Sequence, residues 1–129
     1  MDYSIRRALA QSGVVDITTT GRRSGQPRRI EIVYHVIGGR IYISGQPRAD
    51  RKRAWLSNLE ADPHFILHLK SGVKADLPAT AREITDESER RAVLEHVARA
   101  WKRTDLDNMV AYSPLIEVTI AGLDGAAVG

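Results

Sequence analysis

The stretch Thr18-Thr19-Thr20-Gly21-Arg22-Arg23-Ser24-Gly25-Gln26-Pro27-Arg28-Arg29 lies between two β-patterned runs and holds four arginines, two glycines, a serine and a proline. Glycine permits a tight turn and lets backbone N–H groups approach a ligand, while arginine offers a planar, permanently charged fork. Such a hairpin either stays solvated or holds an anion such as phosphate or carboxylate, and local composition leaves both open.

Outward from this loop, Val14 to Thr20 is rich in β-branched residues and reads as a strand. After it, Ile30, Ile32, Tyr34 and Val36 alternate with Arg29, Glu31, Val33, His35 and Ile37, which predicts a second strand with one buried face and part of the other. Gly38-Gly39 closes a tight hairpin into a third strand, Arg40 to Ser44. Upstream, Ile5, Ala8 and Leu9 recur at helical spacing over Ser4 to Gln11, and Gly13 stops that helix.

Gly45-Gln46-Pro47-Arg48-Ala49 breaks the β pattern. Asp50 is the predicted N-cap of a helix through Trp55, Leu56 and Leu59 to Ala61, ended by Asp62-Pro63. Arg51-Lys52-Arg53 would then form its first turn, where cations are disfavoured unless they are solvated or share an anion. Phe65, Leu67 and Leu69 alternate with His64, Ile66, His68 and Lys70 as a fourth strand. Ser71-Gly72 turns into a fifth over Val73 to Glu83, in which Pro78 predicts a bulge or an unpaired edge. Asp86 and Glu89 make a capping box ahead of Val93, Leu94, Val97, Ala98 and Trp101. A short helical piece over Asp105 to Ala111 and a last strand over Leu115 to Ala121 follow, and Gly122 to Gly129 is predicted to fray. The order predicts one mainly β, α+β domain over residues 1–129, with about six antiparallel strands in a small barrel and helices in the crossovers.

Composition removes several kinds of chemistry. A hydrophobic share of 43% over 129 residues fits one packed core. There is no cysteine, which excludes disulfides, thiolate zinc sites and thiol nucleophiles. With no apolar leader and no run long enough to span a bilayer, a soluble cytoplasmic protein is the default expectation. His64 and His68, four residues apart on a strand, stand about 13 Å apart and cannot share a metal ion, so no metal is expected; His35 and His96 read as surface or packed residues. Ser24 is not in the strand-to-helix elbow of hydrolase nucleophiles. Aromatics are only 5% and both tryptophans fit helix patterns, which argues against stacking on nucleic acid. If the segments Arg22–Arg29 and Arg48–Arg53 meet in space, they form a cationic pocket suited to a phosphorylated cofactor or a nucleic-acid backbone.

The segment from Thr18 to Arg28 resembles the TTxGRxSGxPR hallmark of the deazaflavin-dependent nitroreductase family, split-barrel enzymes that use coenzyme F420. Ala54-Trp55-Leu56-Ser57-Asn58-Leu59-Glu60-Ala61-Asp62-Pro63 resembles that family's xWxxNLxANP segment at the matching distance. The resemblance implies a split β-barrel like that of the FMN-binding flavin reductases. It implies that Gly21, Arg22, Arg23 and Ser24 hold the cofactor's phosphate and acidic tail, with Arg28 reaching the same portion. The backbone of Arg29, Ile30, Ile32 and Val33 would line the ring; Ser44, Gly45, Gln46 and Pro47 match a second ring-contacting loop, and Trp55 and Asn58 match residues of the next helix. Val33, Met109 and Tyr112 would lie on the substrate side. The implied activity is hydride transfer from reduced F420 to a small acceptor such as a quinone, enone or nitro compound. FMN is the alternative cofactor and a non-enzymatic flavin carrier the alternative role. A homodimer is allowed by the extra apolar side of strand two.

Overall fold

The computed structural model describes residues 2–123; of the tail predicted to fray, residues 124–129 lie outside the described residues. In chain order the elements are α1 (Tyr3–Leu9), β1 (Gly13–Thr20), β2 (Pro27–Ile37), β3 (Arg40–Ser44), α2 (Ala54–Ala61), β4 (His64–Leu69), β5 (Ala75–Glu83), α3 (Glu87–Trp101), α4 (Leu106–Tyr112) and β6 (Leu115–Ile120). The strands close an antiparallel barrel in the order β1-β2-β3-β6-β5-β4, with β4 pairing back onto β1. No helix among the described residues is long and apolar enough to cross a membrane.

Period-two alternation fills the barrel. Val15 and Ile17 of β1, Ile43 of β3, Leu67 of β4 and Ile116 of β6 are at most 1% exposed and meet in one core. Each such burial is worth about 1.5–3 kcal/mol relative to exposure. The β2–β3 turn works because Gly38 and Gly39 both take positive φ, 59° and 76°, as a two-residue hairpin turn demands.

A second core lies outside the barrel wall. Tyr42 and Leu115 point away from the interior and pack with Val93, Leu94, Val97 and Met109 of α3 and α4. The capping box holds α3 as predicted: the Asp86 carboxylate accepts the Glu89 N–H at 2.9 Å. Arg90 fastens α4, its guanidinium donating to the carbonyls of Ile84 (2.9 Å), Val110 (2.8 Å) and Ser113 (2.6 Å). Toward its C-terminal end, the outer side of β2 is covered by the same layer. His35 meets the Trp101 ring edge-on at 5.3 Å between centroids, and Ile37 packs against the second core.

Two local expectations need correction. Helix α2 begins at Ala54 with Arg53 at its N-cap, and Arg51-Lys52-Arg53 is not its first turn. The Asp50 carboxylate is engaged by the Arg48 guanidinium (2.9 and 3.2 Å) and caps no helix. Of the two outcomes expected at Pro78, the bulge is absent, since β4 and β5 pair in unbroken register through Ile66↔Pro78, and the unpaired edge is the one the strand provides. Its carbonyl accepts from the Ala121 N–H at 3.0 Å, beyond the last β5–β6 pair, Ala79↔Ile120. The N and C=O of one strand residue share a side, so the missing N–H faces the end of β6 and no ladder bond is lost.

His35 makes the fold acid-sensitive. Its Nε2 is buried with no hydrogen-bond partner among the described residues, and burial holds its pKa below the ordinary imidazole value. The unfolded chain takes up the proton more readily, so this contribution to stability is whole above about pH 6.5 and declines as pH falls below it. His35→Phe keeps the edge-on packing and removes the titration. In urea unfolding, the variant should lose less stability than the wild type between about pH 7.5 and about pH 5; an equal loss would place the acid sensitivity elsewhere.

Candidate functional site

The arginine hairpin is a constrained turn. Gly21 N–H donates to the Gln26 carbonyl and Gly25 N–H to the Gly21 carbonyl, both at 2.8 Å, and the Gln26 N–H donates to Ser24 Oγ at 3.1 Å. A Cβ on Gly21 would stand 2.7 Å from Ser24 Oγ and 3.2 Å from the Gln26 carbonyl oxygen, so a larger residue would displace the Ser24 hydroxyl and crowd the turn. Helix α2 is pinned to the turn by one residue. Asn58, buried, accepts the Arg22 N–H at Oδ1 (3.0 Å) and donates from Nδ2 to Thr19 Oγ1 (3.1 Å).

Between the hairpin and α2 opens a cleft of about 360 Å³. Arg22, Arg23, Ser24 and Arg28 form its polar side; Ile30, Ala54 and Trp55 form an apolar wall; Gly21, Thr19, Asn58 and Arg53 complete it. Its charge is unbalanced. Among the described residues no ion pair includes Arg22, Arg23 or Arg28, and the Arg28 guanidinium reaches only Ser24 Oγ, at 3.4 Å. The next arginine, Arg29, turns to the other face of β2 and is neutralised by Asp16 at 3.0 Å. Permanently charged forks beside an apolar wall suit an anion attached to a flat apolar body.

A second cleft, about 410 Å³, lies between the 48–53 segment and residues 111–114. Arg53 lines both clefts. Its Nη2 donates to the Gln46 carbonyl at 2.6 Å, which ties the 45–47 loop to the start of α2. Burial, then Arg48 and Arg51, push its pKa below the usual guanidinium range. Gly45 is closed in by Pro114, to whose ring a Cβ would come within 3.1 Å.

The structure gathers Gly21, Arg22, Arg23, Ser24, Arg28, Ile30, Trp55 and Asn58 around the first cleft. The other residues singled out in the sequence stand apart from it. Arg29 is paired as above, Ile32 packs on the barrel core, and Val33 sits in the ladder opposite Val14. Ser44 is buried and donates to the Pro114 carbonyl at 2.7 Å. Gly45, Gln46 and Pro47 do not line the cleft, and the Gln46 carbonyl accepts from Arg53, which does. Met109 is wholly buried in the second core and offers no surface to a ligand, whereas Tyr112 is half-exposed and lines the second cleft. Sequence reading missed Thr19 and the bridging place of Arg53. Thr19 was detectable, because it shares the inward parity of Val15 and Ile17 and a buried hydroxyl requires a partner.

Asn58→Ala would strand the Arg22 N–H and the Thr19 hydroxyl. A loss of about 2–3 kcal/mol in urea unfolding is expected; a loss below about 0.5 kcal/mol would mean that water replaces the side chain without cost.

The F420H(2)-dependent quinone reductase family matches residues 3–119. Among solved structures, the fold resembles a conserved hypothetical protein from Mycobacterium tuberculosis, 20% identical, with a TM-score of 0.70 over 94% of this chain and 81% of that one. It also resembles an F420-H2 dependent reductase, 22% identical, with a TM-score of 0.61 over 83% of this chain and 94% of the other. A NimC/NimA family protein from Clostridium acetobutylicum is 18% identical, with a TM-score of 0.62 over 92% of this chain and 87% of its own. Matched over most of its length, the chain belongs to the F420H(2)-dependent quinone reductase family and is an oxidoreductase that uses F420.

Proposed function

We propose that the protein reduces a quinone or a similarly conjugated carbonyl compound, with the cofactor's anionic tail on the arginine hairpin and the acceptor at the second cleft. The observation that carries this reading is the set of unneutralised arginines, Arg22, Arg23 and Arg28, beside the apolar wall of Ile30 and Trp55. F420 carries a phosphodiester and a run of glutamates, and three guanidinium forks complement that charge better than a single phosphate requires. FMN, with one phosphate, leaves part of this charge unanswered.

When bound, F420 supplies a hydride equivalent. The chain's own residues supply position. Arg22, Arg23 and Arg28 fix the tail, and Gly21 keeps the backbone close to it. Trp55 and Ile30 exclude water from one side, and Asn58 holds α2 so that these groups share one cleft. Arg53, common to both clefts, sets how near an acceptor at Tyr112 can approach.

Titration of the purified protein with oxidised F420 and with FMN, followed by tryptophan fluorescence, tests this reading. F420 should bind more tightly than FMN, and Arg23→Ala or Arg28→Ala should each weaken F420 by about 1–3 kcal/mol, more at low salt than at high. Unchanged affinity in both variants would overturn the placement of the tail. Binding without faster oxidation of reduced F420 by any quinone would make the protein a carrier.

A further inference from the structure

The second cleft contains a carboxyl group that the hydride-transfer reading does not use. Glu83, at the end of β5, lines it together with Ile84, Tyr112 and Ser113. Its side chain meets that of Glu60 on α2, and Glu60 is in turn ion-paired with Lys52. Two carboxyl groups in contact do not readily ionise together, so one tends to keep its proton. The surroundings decide which. The hydrogen bond with Glu83, then Lys52 and Arg22, favour a charged Glu60, whose pKa lies below the usual carboxylate range. Burial, then the Glu60 carboxylate, raises that of Glu83 against the smaller opposing pull of Lys52 and Arg90. Arg90 is committed to backbone carbonyls and forms no ion pair with Glu83. Arg48, Arg51 and Arg53 line the same cleft, with Arg48 neutralised by Asp50.

A second observation points to a ligand at this place. Ser113 lines the cleft, is 3% exposed, and its hydroxyl oxygen has no hydrogen-bond partner among the described residues. A buried hydroxyl without a partner costs free energy, which a polar ligand group would relieve if it reached that oxygen from the cleft.

We infer that Glu83 is the proton donor of the reaction, giving its carboxyl proton to the oxygen of a conjugated carbonyl acceptor that occupies the second cleft. This rests on the proposed function above. Hydride addition puts two electrons and one hydrogen on the acceptor, and the electron pair that leaves the carbonyl π bond resides on oxygen as an enolate or quinolate. The Glu83 O–H bond breaks, a new O–H bond forms on that oxygen, and the acceptor is released neutral. Glu83, left as a carboxylate, regains its proton from water at the cleft mouth. Glu60 acts as a positioning residue, setting the proton on Glu83 without touching the acceptor. The acceptor class that fits is one whose reduction creates an oxyanion, a quinone or an enone.

Three measurements test this. Infrared difference titration of the protein without cofactor should show a carboxylic acid C=O band that persists above the pH at which ordinary glutamates ionise and is absent in Glu83→Gln. With F420 and a quinone, Glu83→Gln should leave F420 affinity unchanged and lower kcat about 100-fold, flattening the fall in rate at alkaline pH. Glu83→Asp should restore part of kcat, and Glu60→Gln should move the alkaline limb to lower pH. Wild-type kcat and pH profile in Glu83→Gln, or no persistent acid band in the wild type, would overturn the role of Glu83 while leaving the proposed function intact. Should Glu83→Gln fail to fold, the infrared titration and Glu60→Gln decide alone. Failure of the wild type to bind F420 would overturn the proposed function and this inference with it.

Discussion

The site depends on Asn58. One buried side chain accepts from the backbone of Arg22 and donates to Thr19, so α2 and the arginine hairpin are joined by two hydrogen bonds from a single amide. Everything that lines the first cleft comes from these two elements or from the strand that follows the hairpin. Closed strand pairing supplies a rigid base for both, since β1 is paired on each side, by β2 and by β4. Geometry of this kind tolerates exposed, mutually repelling arginines because their backbone is already fixed.

Charge placement separates the site from the rest of the surface. On the opposite side of the barrel Arg82 is held by Glu89 and Glu117, and Arg40 by Glu117, a network that cancels its own charge. Arg29 and Lys70 both lean on Asp16. Surface pairs of this sort add little stability, but they leave little field. Around the hairpin, Arg22, Arg23 and Arg28 form no ion pair among the described residues, Glu60 acting on Arg22 only at longer range, and their field is focused on a cleft with an apolar wall. A polyanionic cofactor meets there the charge that the fold leaves unbalanced.

Much of this was legible in the sequence, and the reasons differ by element. Alternation gave β1 to β4 and β6 because each buries one face in a single interior, and the Asp86–Glu89 pair gave α3 because a capping box is local chemistry. The start of α2 was misread. Asp50 has a good cap side chain, yet Arg48, two residues away, competes for it and wins with two hydrogen bonds. Residue type located the hairpin cleft, whereas which side chains of 29–33 face it depends on strand alternation, which turns Arg29 and Val33 to the other face. Met109 looked like a ligand contact only because its burial in a second, outer core is a tertiary fact. The meeting of Glu60 and Glu83, twenty-three positions apart, was not visible at all, since it depends on where α2 lands on the end of β5.

The central claim is that this chain recognises its cofactor chiefly by the anionic tail. Calorimetric titration with F420 and with its deazaflavin riboside, which shares the ring but lacks phosphate and glutamates, tests that directly. The arginine cleft predicts F420 to bind about 100-fold or more tightly than the riboside at low salt, with the gap closing as ionic strength rises. Equal affinities for the two, insensitive to salt, would contradict it.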